Sequence, residues 1–338
     1  MTITQQPPAA RAEASASTTP RWLRSLGYRY GVVGVWIVAF VFFSIMAPTT
    51  FLTATNLTAM LSSQAALILL ALAVVPALAA GEIDLSVAGV MTISATVVGQ
   101  LNGVWKVDIV LSIVLALLVA LLVGFINAFL AVYVGVQSIV VTLGMSTLLV
   151  GISQWIANKL TITGVSPDLG RLVNGRVLGV SAGFWFAIAV GLVLWYVYRH
   201  TAVGRHVVFI GKNAEVARLS GLPVQKLKVG AFMVTSLLAG LAGVVVVASA
   251  GGLQPTSLQT LLLPAFASAF LGQAIIDPGS NNPLGTIIAV LFLATGINGL
   301  VLLGADTWVS DVFYGAAVII AVTVSRIATV RARRKSVL

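Results

Sequence analysis

Ile109–Tyr133 reads IVLSIVLALLVALLVGFINAFLAVY, a long run without a single charged residue. About 20 apolar residues carry a helix across the hydrocarbon core, whereas a barrel strand needs about 10 in strict alternation. No alternation is present, so this run predicts a transmembrane α-helix. Similar blocks recur on both sides of it. Spans are expected at 31–47, 57–80, 85–101, 109–133, 137–157, 182–198, 229–250, 259–276, 285–304 and 310–327. Composition agrees: 59% of the 338 residues are hydrophobic and 8% are charged, against about 25% charged in a soluble domain. The fold class expected is all-α and polytopic, with about ten transmembrane helices.

Charge then orients the chain. The formal net charge of +10 invites a nucleic-acid reading, but Lys and Arg sit at span ends rather than in a stripe on a folded domain. No nucleic-acid partner is expected. Arg11, Arg21, Arg24 and Arg29 precede the first span. Arg199, Arg205, Lys212, Arg218, Lys226 and Lys228 crowd the loop 199–228, and Arg326, Arg331, Arg333, Arg334 and Lys335 close the chain. Only Lys106, Lys159, Arg171 and Arg176 fall on the other side. The bias places both termini and the loop 199–228 in the cytoplasm. Residues 1–29, rich in Ala, Ser, Thr, Pro and Gln near their start, are expected to form a disordered cytoplasmic tail. Residues 30–328 form the transmembrane domain, and 329–338 a basic cytoplasmic tail. The first apolar block is long enough to span and lacks a cleavage pattern, so it reads as a membrane span rather than a signal peptide. Residues 158–181, with Pro167, make the longest outer loop. Cysteine is absent, which excludes disulfides and thiolate metal sites.

The acids are few enough to weigh singly. Glu82 and Asp84 lie in Gly81-Glu-Ile-Asp-Leu-Ser86, where one apolar block ends and the next begins. Acids at a membrane edge serve a pathway, a relay or a helix end. Asp84 before Leu85 and Ser86 reads first as a helix-start acid satisfying free N–H groups, with substrate contact as the alternative. Asp277 and Asp306 read as loop acids, Asp311 as a helix-start acid, and Asp108 and Asp168 as outer-loop acids. His200 and His206 are the only histidines, and neither a His-Glu-x-x-His nor a Gly-x-Ser-x-Gly pattern occurs. No catalytic residue, metal ligand or cofactor-binding residue is expected, and the chain does not read as an enzyme.

The segment Gly272–Gly285 resembles the Gly81 segment: each follows one apolar span and opens another. Parallel repeats occur in transporters, and Gly-rich turns between helices also look alike. The residues leave both readings open.

The loop 199–228 carries a local grammar. Asn213 suits an N-cap, Ala214–Leu219 a short helix, and Gly221 with Pro223 a stop. Ala214 and Ala217 share a face, and small residues there would allow close approach to a partner's groove. No chain segment reads as a P-loop. Gly204–Asn213 has the wrong glycine spacing and ends in Asn where Ser or Thr is required. If ATP drives this protein, the ATPase is another chain.

These residues bring a family into view. Thr201-Ala-Val-Gly204-Arg205 followed by Ile210-Gly211-Lys-Asn213-Ala-Glu-Val-Ala217-Arg-Leu-Ser220-Gly221 resembles the coupling loop of bacterial ABC importer permeases of the ribose/xylose/galactoside type. Gly81–Val87 resembles that family's Gly-Gly-x-Asp-Leu-Ser-Val-Gly signature, with Glu82 in place of the second glycine and Ala88 in place of the last. Gly124-Phe-Ile-Asn127, Ile139-Val-Val-Thr142-Leu-Gly144, Gly285-Thr286 and Asn298-Gly299-Leu300 match further segments, with Ala128 where the family has glycine. The resemblance runs in order through about residues 30–328.

The resemblance implies a permease subunit of an importer for a monosaccharide or related small polyol or sugar derivative, set in the bacterial cytoplasmic (inner) membrane. It implies a cytoplasmic ABC ATPase docking around Gly204, Arg205, Gly211, Asn213, Ala214, Ala217, Ser220 and Gly221. It also implies an extracytoplasmic sugar-binding protein and a second permease subunit, as homodimer or heterodimer, in contact with membrane lipid. Gly81, Asp84, Leu85 and Ser86 are its signature after the second span. Gln64, Asn127, Trp155 and Asn298 are candidate pathway residues, since sugar pathways use aromatic and amide side chains, and each is equally explicable as interhelical hydrogen bonding or interfacial anchoring. The competing reading, an ion-coupled secondary transporter of a small polar solute, would need ionisable groups deep within spans, and the expected spans hold almost none.

Overall fold

A computed structural model describes residues 21–276, 280–306 and 308–335. Among them the chain is helical almost throughout. In order come α1 (Arg21–Met46), α2 (Ala54–Ser63), α3 (Ala65–Ala79), α4 (Val87–Val98), α5 (Ile109–Ala128), α6 (Ser138–Ile156) and α7 (Pro167–Asn174). Then follow α8 (Ala182–His200), α9 (Ala202–Lys212), α10 (Ala214–Leu219), α11 (Val224–Ala250), α12 (Leu262–Gly272), α13 (Pro283–Leu302) and α14 (Trp308–Lys335). Wider π turns extend α4 through Val104 and α5 through Val134. Two short antiparallel pairs, Ile162–Thr163 with Gly252–Leu253 and Arg176–Val177 with Val180–Ser181, tie down the loop between α6 and α8.

Seven helices are long and apolar enough to cross a membrane: Ala54–Ala79, Val87–Val104, Ile109–Val134, Ser138–Ile156, Ala182–His200, Val224–Ala250 and Pro283–Leu302. Gly31–Met46, Ser257–Gly272 and Trp308–Ile320 are shorter apolar helices within the described residues. The protein is therefore an all-α polytopic membrane protein.

Four expectations change in detail. The second span is two helices meeting at Gln64. The span expected at 259–276 is a 3-10 turn, Ser257–Leu261, leading into the 11-residue α12. Helix α1 begins at Arg21, so residues 21–29 are helical rather than part of a tail; residues 1–20 lie outside the described residues. At the other end α14 runs to Lys335, well into the expected basic tail. Hydrophobicity marks where a helix meets lipid, not where its hydrogen bonding begins.

The core explains the layout. Helix α3 is apolar on every side, so it is buried on every side: Leu67 through Ala77 are all buried. Around it pack α11, α12, α8 and α13, and α11 also crosses α4 and α5. Pro76 interrupts α3 by removing one helical N–H. The next N–H, on Ala77, is taken up by Thr235 Oγ1 of α11 at 3.2 Å, the kind of neighbouring-helix repair that makes proline tolerable in a membrane span. Helices α5, α6 and α8 instead expose apolar faces, with Val110, Leu118, Leu122, Val140 and Val193 pointing outward.

Candidate functional site

The site begins with the short helices after α8. Thr201 caps α9, its Oγ1 accepting from the N–H of buried Gly204 at 3.2 Å. Helix α9 lies against the end of α3. A Cβ on Gly211 would overlap the Ala79 carbonyl oxygen, and one on Gly81 would sit 3.2 Å from Gly211 Cα. Two backbones touch here, which only glycine permits.

Helix α10 follows directly. Asn213 Oδ1 accepts from Val216 N–H at 3.1 Å, as an N-cap should. Beyond Ser220, Gly221 adopts φ +80°. Gly221 N–H reaches Arg218 O at 3.0 Å and Leu222 N–H reaches Ala217 O at 3.1 Å, the paired bonds of a Schellman stop. The cap–helix–stop reading of the sequence thus describes the backbone. Its outward face differs from expectation. Ala217 is 0% exposed and packs with Ala79, Ala80, Val207, Ile210 and Ala231 of the same chain. Ala214 is half-buried. The face turned away from the protein carries Val216, Leu219 (78% exposed) and the Glu215–Arg218 ion pair. Small residues on α10 serve close packing within the chain.

The loop 80–86 joins this platform to the interior. Lys228 Nζ donates to Glu82 Oε1 at 2.5 Å, with both side chains largely buried, linking the loop to the start of α11. Asp84 turns inward, 1% exposed. Its Oδ1 accepts from the Ser86 N–H at 2.8 Å and from Ser86 Oγ at 2.6 Å. Ser86 Oγ in turn accepts from Asn127 Nδ2 at 2.8 Å, and Thr142 Oγ1 accepts from Leu85 N–H at 3.0 Å. Three motifs separated in sequence therefore meet in one buried knot. The helix-start role expected of Asp84 would satisfy the free N–H groups of α4, but Asp84 binds only Ser86, the residue before α4, in an Asx turn, and Ser86 itself makes no side-chain cap bond. Burial pushes the Asp84 carboxyl up to about 6, against the lowering effect of the two Ser86 hydrogen bonds. Asp84 Oδ2 and Asn127 Oδ1 have no hydrogen-bond partner among the described residues. Gly144, by contrast, has open space around it.

Flanking Asp84 on either side, Ile83 and Leu85 line a cleft of about 620 Å³. Its walls come from Ile139 of α6, Phe266 and Phe270 of α12, and Tyr314 and Val318 of α14. Gln259, Thr260 and Asp311 add polar groups, and Gln259 Nε2 is buried without a hydrogen-bond partner among the described residues. An apolar cleft with a few convergent polar groups is the usual form of a small-solute site.

None of the four candidate pathway residues lines this cleft. Gln64 sits at the α2–α3 break, its Nε2 donating to Ser63 Oγ at 2.9 Å. Asn127 belongs to the buried knot. Trp155 is 79% exposed and borders a separate surface hollow with Lys159. Asn298 exchanges amide hydrogen bonds with Asn56 at 3.0 and 3.2 Å. Sequence reading passed over Gln259 and Tyr314 and read Asp311 only as a helix-start acid. The signal available was the polar run Gln254–Thr260 ahead of Pro264, which marks a broken helix rather than a plain span.

The Gly272–Gly285 segment also faces α9: residues 280–283 lie across a hollow from Arg205 and Lys212. Gln273 Nε2 donates to Asn281 Oδ1 at 2.8 Å, and Asn282 caps α13 through Leu284 N–H at 3.1 Å. Asp277, Pro278 and Gly279 lie outside the described residues.

Comparison with known proteins finds a family described as branched-chain amino acid transport system / permease component, matching residues 56–322. The ribose import permease protein of Escherichia coli strain K12 is 34% identical over 193 residues, 56% of this chain and 60% of that protein. The chain thus spans about three fifths of the length of that relative. The ribose import permease protein of Bacillus subtilis strain 168 is 33% identical over 248 residues, covering 73% and 77% of the two chains. The D-allose transport system permease protein of Escherichia coli strain K12 is 27% identical over 300 residues, covering 88% and 92%. No solved structure matches the chain.

Proposed function

The chain belongs to the family of transport-system permease components, and from that premise we propose that it is the membrane-spanning subunit of an ATP-driven, binding-protein-dependent importer. Its cargo is a monosaccharide or a related small polyol or sugar derivative. Support for the cargo class comes from the relatives named for ribose and D-allose. Its place is the bacterial cytoplasmic membrane. The seven long spans and three shorter apolar helices together make ten crossings, with both termini and the α9–α10 platform on the cytoplasmic side by the Lys/Arg bias.

A separate ABC ATPase would dock on the outward face of α10, around Val216 and Leu219. Movement there would pass through two links. One is the Gly211–Gly81 backbone contact; the other is the Lys228–Glu82 ion pair. Both end on the loop whose Ile83 and Leu85 border the cleft. Closure of the motor would then tilt the cleft floor and shift the subunit between inward-open and outward-open states. A second permease subunit, identical or closely related, would face the cleft from its open side. A sugar-binding protein would deliver solute to the opposite end, where residues 158–181 lie. No covalent chemistry falls to this chain.

The observation that carries this reading is α10 itself, capped at both ends, rooted by Ala217 and presenting Val216 and Leu219 to solvent. Co-purification with the candidate ATPase tests it. A Leu219→Glu variant that still inserts and purifies should lose the ATPase. If the ATPase remains bound at wild-type level, the docking face is elsewhere.

A further inference from the structure

A second hollow, of about 280 Å³, opens where α8 leaves the membrane. Arg205, Val208 and Lys212 line it from one face of α9, at spacings of three and four residues. Trp195, Tyr198 and Arg199 line it from the last turns of α8, and residues 280–283 close the third side. The side chains of Arg205 and Lys212 are exposed and have no salt-bridge or hydrogen-bond partner among the described residues. No carboxylate lines the hollow among the described residues. Asn282 is buried and spends its amide on the Ile275 carbonyl and the Leu284 N–H, so the polar groups offered to a ligand are Arg205, Lys212 and the Nδ2 of Asn281, a set suited to a phosphate.

Three features select the source of that phosphate. The hollow adjoins α8, whose Leu192, Val193 and Tyr196 are exposed on the membrane-facing side, so acyl chains have an apolar wall beside the headgroup. Trp195 lines the same hollow near the end of α8, and indole rings favour membrane interfaces. Beside the Arg205–Lys212 face, Phe209 is also exposed, as on amphipathic helices that lie in the headgroup layer. Basic pockets between membrane helices on the cytoplasmic side take anionic headgroups.

We propose that this hollow binds the phosphodiester headgroup of an anionic phospholipid, held by Arg205 and Lys212 between α8, α9 and the start of α13. Occupancy would pin α9 to the membrane surface, beside α10.

Native mass spectrometry of the full purified chain tests this, using phosphatidylglycerol and phosphatidylcholine of identical acyl composition. The wild-type chain should retain phosphatidylglycerol and not phosphatidylcholine. The pair Arg205→Gln with Lys212→Gln should weaken that retention roughly thirtyfold, the loss of two interfacial cations. Arg205→Lys with Lys212→Arg should preserve it, as should Lys226→Gln, an exposed cation outside the hollow. Equal retention of the two lipids overturns the proposal, and so does unchanged retention in the glutamine pair. Displacement of the lipid by millimolar inorganic phosphate would also overturn it, assigning the hollow to a free anion. The wild-type lipid comparison stands even if the glutamine pair does not fold.

Discussion

Lys228 Nζ meets Glu82 Oε1 at 2.5 Å, fastening the first turns of α11 to the loop between α3 and α4. Glu82 stands where the sequence resemblance implied a glycine, and the ion pair gives its carboxylate a structural role. The pair is largely buried, so losing one partner leaves a charge poorly solvated. Glu82→Gln and Lys228→Met should each lower the midpoint of thermal unfolding in detergent. A double-mutant cycle should give a coupling on the order of 1–3 kcal/mol. The charge-swapped pair Glu82→Lys with Lys228→Glu should recover part of it. Additive single effects would remove the pair from the account.

Ala217 and Leu219 should separate stability from docking. Ala217 is enclosed by its own chain, so Ala217→Leu should overpack the site and cost about 1–3 kcal/mol of stability. Leu219 is exposed, so Leu219→Glu should leave unfolding within about 0.5 kcal/mol of wild type while ATPase co-purification fails. Unfolding curves measured beside the docking assay distinguish the two.

Gly211 tests the contact beneath them. A Cβ there meets the Ala79 carbonyl, a backbone atom that yields only if α9 lifts from α3. Gly211→Val should reduce stability by at least about 1 kcal/mol and depress sugar-stimulated ATP hydrolysis in the assembled complex. Wild-type hydrolysis and stability would mean that α9 does not bear on α3.

The Asp84 carboxyl, raised from 3.8 to about 6, makes a pH prediction. Between those values the folded chain binds more protons than the unfolded chain, so stability falls as pH rises from about 4 to about 6 and then levels. The shift is worth up to about 3 kcal/mol. Asp84→Asn cannot ionise, so it should flatten this part of the pH–stability profile and retain assembly. A profile identical to wild type would show that Asp84 titrates normally.

In the cleft, Gln259→Leu removes a carboxamide whose Nε2 has no partner among the described residues, so it should cost the fold little. If the cleft conducts solute, the variant should change the concentration dependence of uptake while the ATPase still co-purifies. Uptake kinetics equal to wild type would place the pathway elsewhere.

Sequence alone carried the all-α, polytopic membrane class because burial in lipid demands long apolar runs that no soluble fold needs. It also carried the stop and start of α10, since Asn213 and Gly221 act through their own backbones. The direction of α10 was not legible. In a six-residue helix nothing local distinguishes a face pressed on its own chain, where Ala217 lies, from one awaiting a partner. The hydrogen bond between Asn298 and Asn56 was hidden for a related reason: the two lie 242 positions apart. The cleft was hidden because its polar groups come from a broken helix, at Gln259, and from the start of another, at Asp311.

ATP-dependent uptake into proteoliposomes bears most directly on the central claim. The chain would be reconstituted with its candidate ATPase and binding protein, and offered labelled D-ribose, D-allose and L-arabinose. The account predicts uptake of at least one sugar that requires ATP and both partners, and that Leu219→Glu abolishes. Uptake driven by an ion gradient without the ATPase, or unaffected by Leu219→Glu, would contradict it.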